Sequence, residues 1–465
     1  MRNYLRSTVA MMAMLLICIS ITNVVFARHN DDDGDSGRHG RIARDASIER
    51  KLGGALFEDI NLSLNRNQSC KNCHGLSRVE VPTEVKPGIF KMRKQAAKAF
   101  VDPTNIMNGT GVSDGSVDRD FGGLNSPSIG YAAFSPVFHW DKGEELFLGG
   151  QFWNGRAADL KEQAQGPFIN PVEMAMPDEF SVIERLRENP KYVRIFKRLY
   201  DINLTSIQEA NYADVLEAYK AMADAIATFE RTKRFNKFNS KFDYEAAGMT
   251  AYNASEQRGA DLFDGIALCG ECHTTEGVDG DDTPALLTDF SYDNLGTPPN
   301  PQIPGQPAFD PGLLGNPNLD AVRGAPTDPS EVEGRHKVMS LRNIALTAPY
   351  MHNGIFKTLE EVVHFYNTRD TLGNTPTNGG PADATNPEFG TEFWPEGEFH
   401  GTRNIDELGN LGLTPQEEAD VVAYLKTFTD NYPSWGNKNG LSDPNVPQDT
   451  PSPFRDFPLP VHSVD

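Results

Sequence analysis

Positive charge, cysteine and long apolar runs are all scarce in this chain. Lys and Arg number 43 against 65 Asp and Glu, a formal net charge of −22. A nucleic-acid binder needs a basic surface to meet phosphates, so that class is excluded. A basic protein partner drawn in by the acidic field is allowed. Outside one N-terminal stretch, no run of apolar residues is long enough to span a membrane. Cysteine occurs five times, and Cys18 lies in that same stretch, which leaves four. Strand-rich regions are missing too, and with them the βαβ context that a thioredoxin-like dithiol needs. What is present is 465 residues of 38% hydrophobic composition, enough Leu, Ile, Val and Phe for real cores and length for two or three domains.

Arg2 and Arg6 make a charged start, Val9 to Val25 is mostly apolar, and Val25-Phe26-Ala27 has the form of a small-residue cleavage site. Residues 1–27 therefore read as a signal peptide removed after Ala27. A retained anchor is the alternative, and both readings export the chain. Leu16-Ile17-Cys18 is a poor lipoprotein box, so Cys18 is discarded with the peptide. The mature chain then has no membrane span, and its expected location is the periplasm or another exported compartment.

The four remaining cysteines form Cys70-Lys71-Asn72-Cys73-His74 and Cys269-Gly270-Glu271-Cys272-His273. Each is C-x-x-C-H, the attachment signature of a c-type haem: two thioethers to the porphyrin and an imidazole to the iron. A zinc site would need the two cysteine pairs to meet in one tetrahedral cluster, and would leave the histidines unexplained. Two covalent haems are the expected cofactors. Such attachment takes place outside the bacterial cytoplasm, in agreement with the leader.

Residues 28–46 have the composition of a solvated linker. A weak repeat follows: Gly53-Gly54-Ala55-Leu56-Phe57 precedes the first haem motif, and Gly259-Ala260-Asp261-Leu262-Phe263 the second. Each motif thus opens an equivalent module, 47–240 and 241–435, ahead of a polar, Pro-rich tail at 436–465. Residues 76–124 look irregular, and the basic stretch Lys91–Lys98 reads as a solvated helix face. From 178 to 234 the pattern is helical, with Val215, Leu216, Tyr219, Met222, Ala223, Ile226 and Phe229 on one face. Thr358-Leu359-Glu360-Glu361 and Thr414-Pro415-Gln416-Glu417 are helix starts with capping boxes. The stretches 274–334 and 370–405, full of Pro, Gly and Asp, read as long surface insertions. The fold class is mainly α with long loops.

Three more stretches complete the pattern. They are Asn125-Ser126-Pro127-Ser128; Phe152-Trp153-Asn154-Gly155-Arg156-Ala157 running on to Asn170-Pro171-Val172-Glu173-Met174; and Leu341-Arg342-Asn343-Ile344-Ala345-Leu346-Thr347-Ala348-Pro349-Tyr350. With the two C-x-x-C-H motifs, each after a Leu-Phe, the chain resembles the bacterial di-haem cytochrome c peroxidase family over roughly residues 50–430, insertions apart. The resemblance implies two cytochrome-c-like helical domains, one haem in each, and a calcium ion between them.

The resemblance also implies roles. His74 would be the proximal ligand of the haem where hydrogen peroxide reacts. Glu173 matches the acid–base glutamate, Gln163 a distal amide and Pro167 a proline crowding the same pocket. Glu173 could otherwise be an exposed loop carboxylate. Trp153 matches the tryptophan between the haems, although beside Phe152 the pattern alone suggests core. His273 would be the proximal ligand of the second haem. Ordinary peroxidases of the family place a methionine opposite it. Aligning the helix that starts at Thr358 puts Tyr366 there instead, the pattern of the MauG-like branch, where a phenolate favours oxidised iron. Tyr366 could also merely fill an apolar helix face, and Met351 and His364 are rivals for the iron. His352 matches a family histidine and reads as a group near the haems, not an axial ligand. Asn125, Thr347 and Pro349 match the calcium positions, hard oxygen donors all, though Asn125 could simply cap a turn. Many family members rest with a distal histidine from the loop before the Asn-x-Pro segment. Residues 76–124 contain none, and His139 comes later and does not match it. The first haem is expected to be open to peroxide.

The sequence thus reads as an exported enzyme. Peroxide reacts at the His74 haem, Glu173 assists, and oxidising equivalents pass by way of Trp153 to the His273/Tyr366 haem. They are then spent on a partner protein, as in MauG-like enzymes. A conventional peroxidase fed by a small cytochrome or copper protein is the nearest alternative. A non-enzymatic electron carrier is the second, and it has no use for Glu173 and Gln163.

Overall fold

A computed structural model describes residues 36–77, 80–86, 89–94, 97–108, 110–278, 283–305, 309–432 and 450–460. The signal peptide and cleavage site expected at 1–27 lie outside the described residues, as does the tail expected at 436–465 except for 450–460. The chain divides into Met1–Asp45 and one large compact unit, Ala46–Asp465, which contains all that follows except the first turns of helix α1.

Seven helices carry the packing: α1 Ser36–Phe57, α2 Glu179–Arg187, α3 Pro190–Leu199, α4 Tyr212–Glu230, α5 Ala254–Phe263, α6 Leu359–Thr368 and α7 Pro415–Lys426. Helix α1 begins inside the stretch that composition reads as linker. Among the described residues three two-stranded antiparallel sheets accompany the helices. They pair β1 Glu80–Lys86 with β2 Ile89–Lys94, β3 His139–Asp141 with β4 Leu146–Leu148, and β5 Tyr292–Asp293 with β6 His336–Lys337. The basic stretch at Lys91 is therefore hairpin strand as far as Lys94, not a helix face. Strand pairing from Glu80 to Lys94 outweighs the weak helical periodicity of the stretch.

Among the described residues the two largest hydrophobic cores of the large unit are drawn from Leu52 to Phe235 and from Phe242 to Phe428. Each is organised by one helix crossing, and the Gly–Leu–Phe repeat makes that crossing possible. A Cβ on Gly53 would overlap the Ala225 carbonyl of α4, and a Cβ on Gly259 would overlap the Asp420 carbonyl of α7. Four residues after each glycine a fully buried phenylalanine closes the contact, Phe57 on Phe229 at 5.5 Å and Phe263 on Tyr424 at 5.3 Å. Burying each ring contributes roughly 1.5–3 kcal/mol. Helices α6 and α7 start as their sequences require. The Thr358 and Thr414 hydroxyls accept from the amides of Glu361 (3.1 Å) and Glu417 (3.3 Å), and each glutamate returns to the cap amide.

A buried clamp joins residues far apart in sequence. The Arg342 guanidinium donates to both oxygens of Asp243 (2.8 and 2.7 Å) with both side chains fully buried. Next to it, Asp430 accepts from Tyr131 (2.8 Å) and Asn343 (2.8 Å).

The two stretches read as surface insertions are woven into the interior. Leu287, Tyr292 and Leu313 of the first and Phe393 and Trp394 of the second are buried. These apolar residues come singly or in pairs, so no periodicity announces them. Side-chain amides satisfy the irregular backbone instead, as where Asn316 donates to the Asn154 carbonyl (3.0 Å) and Asn353 to that of Pro298 (2.8 Å). The described piece of the tail is also anchored. Phe454 and Phe457 pack with Tyr131, Phe238 and Leu286, and Thr450 accepts from the Tyr244 hydroxyl (2.9 Å).

Gly53→Ala and Gly259→Ala should each destabilise the protein by at least about 1–3 kcal/mol, the cost of forcing atoms into a packed crossing. Chemical denaturation reads this, and an unchanged midpoint in either variant would contradict the crossing.

Candidate active site

Each C-x-x-C-H pentapeptide forms a tight turn at the mouth of a separate cavity. Ser69 caps the first turn: Asn72 donates its amide to the Ser69 carbonyl (2.9 Å), while Ser69 bonds Asn72 Oδ1 through its amide (3.0 Å) and hydroxyl (2.9 Å). None of the four cysteines is bridged to another. Burial raises all four thiols, Cys73 and Cys269 to about 12, so they stay protonated. Burial also lowers His74 and His273 to about 4, keeping both imidazoles in the neutral form that ligates metals. In each ring Nδ1 is engaged: His273 Nδ1 meets the Leu287 carbonyl at 3.0 Å, and His74 Nδ1 meets Ser126 Oγ at 3.4 Å. That leaves Nε2 as the nitrogen available to a metal.

Two cysteine pairs in two cavities cannot share a tetrahedral ion. Among the described residues no group of three or more His, Cys, Asp and Glu is arranged to hold a metal by itself. Free, protonated thiols beside a neutral imidazole in a largely apolar cavity do fit a covalently attached haem.

The first cavity, of about 620 Å3, is lined by Cys73 and His74 together with Trp153, Gln163, Pro167 and Glu173. Cys70 joins His74, Gln163, Pro167 and Glu173 around a smaller adjoining pocket of about 50 Å3. Short helical turns place these groups: Leu160–Gln163, capped by Asp159, and Gly166–Ile169, which contains Pro167. Glu173 is no exposed loop carboxylate. Its Oε1 accepts from Asn170 Nδ2 (2.6 Å), and burial raises its pKa against the opposing pull of that bond and of Arg156.

The second cavity, of about 200 Å3, is lined by Cys269, Cys272, His273, Met351 and Tyr366. Burial, then the Cys269 and Cys272 sulfurs, pushes the Tyr366 phenol well above its ordinary pKa. Met351 lines both cavities. His364 lines neither; its Nδ1 is held by Glu418 at 2.8 Å. His139 lies in strand β3, on the Val137 carbonyl (2.8 Å).

A shared wall separates the cavities, and Trp153 is part of both linings. Asn125 fastens this wall. Its carbonyl accepts from Trp153 Nε1 (2.8 Å), its amide donates to the His352 carbonyl (2.7 Å), and its side chain donates to the Pro349 carbonyl (2.7 Å). Thr347 lines the first cavity with them. Against the indole lie two stacked imidazoles, His336 and His352, with ring centres 3.7 Å apart. Each ring is 6.4 Å from that of Trp153. Asp310 holds His336 and Glu398 holds His352, both at 3.1 Å.

Sequence reasoning missed His336, Asp310, Glu398, Lys337 and Glu230. The first four lie in or beside the two stretches read as insertions, and nothing in their spacing relates them. Glu230 is the exception with a legible signal. Aligned on the two glycine crossings, it occupies the place that Leu425 takes in the second module. It is buried, its Oε2 has no partner, and burial raises its pKa to about 8. It lines both pockets at His74.

The purified protein should carry two haems per chain by alkaline pyridine absorbance, and after denaturation should offer no thiol from residues 70, 73, 269 or 272 to an alkylating reagent. A free thiol at either pair would remove the corresponding haem.

Residues 48–251 match the family described as di-haem cytochrome c peroxidase. The chain is 36% identical over 388 residues to the methylamine utilization protein MauG of Paracoccus denitrificans, covering 82% of this chain and 88% of that one. Over 388 residues it is 29% identical to the cytochrome c551 peroxidase of Nitrosomonas europaea, covering 83% and 81%. The fold is similar to that of the diheme peroxidase BthA of Burkholderia thailandensis, with TM-score 0.65, 24% identity, and 82% and 86% of the two chains covered. Among the described residues no helix is long and apolar enough to cross a membrane. Identity of this extent over most of both chains, added to two buried C-x-x-C-H turns in separate cavities, places the chain in the di-haem cytochrome c peroxidase family as a peroxidase-type oxidoreductase.

Proposed function

We propose that this is an exported, MauG-like enzyme that consumes hydrogen peroxide in the His74 cavity and spends the oxidising equivalents on a protein partner from the His273 cavity. The supporting observation is that the two cavities differ in what faces their histidines. One holds Gln163, Pro167 and Glu173, the other Tyr366.

Each haem, when bound, supplies an iron that changes oxidation state. The chain's residues do the rest. Glu173, dehydrated and steadied by Asn170, accepts a proton from the near oxygen of peroxide and returns it to the far one. Gln163 orients the peroxide and Pro167 narrows the pocket. Trp153 belongs to both linings and its indole N–H is held by the Asn125 carbonyl, which suits it to carry charge between the cavities. Tyr366 offers an oxygen that, as phenolate, favours oxidised iron. It lines the second cavity with Cys269, Cys272 and His273, whereas Met351 sits in the shared wall and His364 is engaged by Glu418. Calcium belongs to the same proposal. Asn125 and Pro349 are in contact and Thr347 shares their cavity, but the Asn125 amide must turn over to present its oxygen.

One equivalent of peroxide, added to the diferric protein without reductant, should give a long-lived optical product oxidised at both haems. No change until the protein is half-reduced would instead make it a conventional peroxidase, and no reaction in either state would make it an electron carrier. Tyr366→Met should retain both haems but shorten the life of that product at least tenfold.

Because Glu173 must be ionised to accept a proton, the rate of peroxide consumption should fall as pH drops through its pKa, which burial holds above the ordinary 4.5. In Glu173→Gln stopped-flow mixing should find that limb gone and the rate lower by roughly 10²–10⁴.

A further inference from the structure

Among the described residues the buried cations are paired with anions, save one. Arg342 has Asp243 and Lys241 has Glu256, at 2.7 and 2.5 Å. Lys337, on strand β6, is 6% exposed and is close to no carboxylate among the described residues. Its ammonium donates to Ser135 Oγ (2.5 Å) and to the Gly150 carbonyl. An ammonium has three N–H donors, so one is left over. Burial with nothing to offset it lowers the amine to about 7. A charge in such a place is costly unless an anion meets it.

The direction from which that anion comes is on the same side chain. Ser135, which accepts from Nζ, and Phe290, whose ring is 5.3 Å from Nζ, line the first cavity and not the second. Lys337 as a residue lines both large cavities and not the small pocket around Cys70, so it is the partners of its Nζ that place the ammonium on the side of the first. A c-type haem brings two carboxylates of its own, the propionates, on the edge remote from its thioethers. On its other side Lys337 is tied to the wall, since its main-chain amide donates to the Trp153 carbonyl (2.8 Å).

We propose that Lys337 is the counter-charge for a propionate carboxylate of the haem held by Cys70, Cys73 and His74, raising that haem's reduction potential and joining its carboxylate edge to the Trp153 segment. This rests on the haem assignment of the first cavity. The bland alternative is that Lys337 only fastens the Gly150 corner, and the two readings predict different spectra.

The test uses the holoprotein, Lys337→Met and Lys337→Arg, each assayed for haem content, then titrated potentiometrically and examined by resonance Raman in the propionate-bending region. The Met variant should keep both haems and lower the potential of the His74 haem by about 59 mV or more, a tenfold change in a one-electron equilibrium. Its propionate band should shift as well. The Arg variant should stay near the wild type, and the His273 haem should not move in either. Unchanged potential and propionate band in Lys337→Met, whatever happens to stability, would overturn the proposal. Equal shifts in Met and Arg variants would also overturn it, because charge would then not be the cause. Should the Met variant lose its first haem, Lys337→Gln, which keeps a donor without the charge, is read by the same criteria. Absence of haem from Cys70 and Cys73 in the wild type would overturn the cavity assignment itself, a separate failure.

Discussion

Asn125 is the residue on which the geometry between the two cavities depends. One residue fixes Trp153 through its carbonyl, the His352 main chain through its amide and Pro349 through its side chain. Its neighbour Ser126 reaches the His74 ring. The first attachment turn, the indole and the segment leading to Tyr366 are thereby held to one short stretch of backbone. Three hydrogen bonds, two to main-chain carbonyls and one from the indole N–H, each about 0.5–1.5 kcal/mol net, hold this stretch in place.

The two modules use one solution for packing and two for chemistry. A glycine admits the partner helix, and a phenylalanine four residues on seals the crossing, in both. The divergence begins next to that crossing, where Glu230 stands in one module and Leu425 in the other. It continues in the linings, where one cavity has acid–base groups and the other a phenol. A buried carboxyl at a position that packs well as leucine carries a desolvation cost, and it lies with Glu173 in the small pocket beside Cys70 and His74.

Irregular loops supply much of the wall. His336 and His352 stack against each other beside Trp153, and the carboxylates that orient them, Asp310 and Glu398, come from the two Pro- and Gly-rich stretches. Such segments can enter an interior because Asn side chains cap their backbone groups there. Their low periodicity reflects single apolar anchors, not exposure.

The sequence by itself determined the covalent chemistry and the local starts of structure. C-x-x-C-H, the capping boxes at Thr358 and Thr414 and the apolar face of Val215–Phe229 are short-range patterns, each sufficient for its own consequence. The Gly–Leu–Phe repeat announced two modules, and the resemblance carried by Trp153, Gln163, Pro167 and Glu173 directed attention to one cavity. Only the tertiary structure decided which residues meet across long separations. Lys337 stands beside Trp153 and Ser135, Asp310 beside His336, Glu398 beside His352, and Arg342 on Asp243. These pairings follow from how two cores and their connecting loops pack, and buried polar groups must find partners wherever that packing puts them. No spacing in a linear chain encodes that.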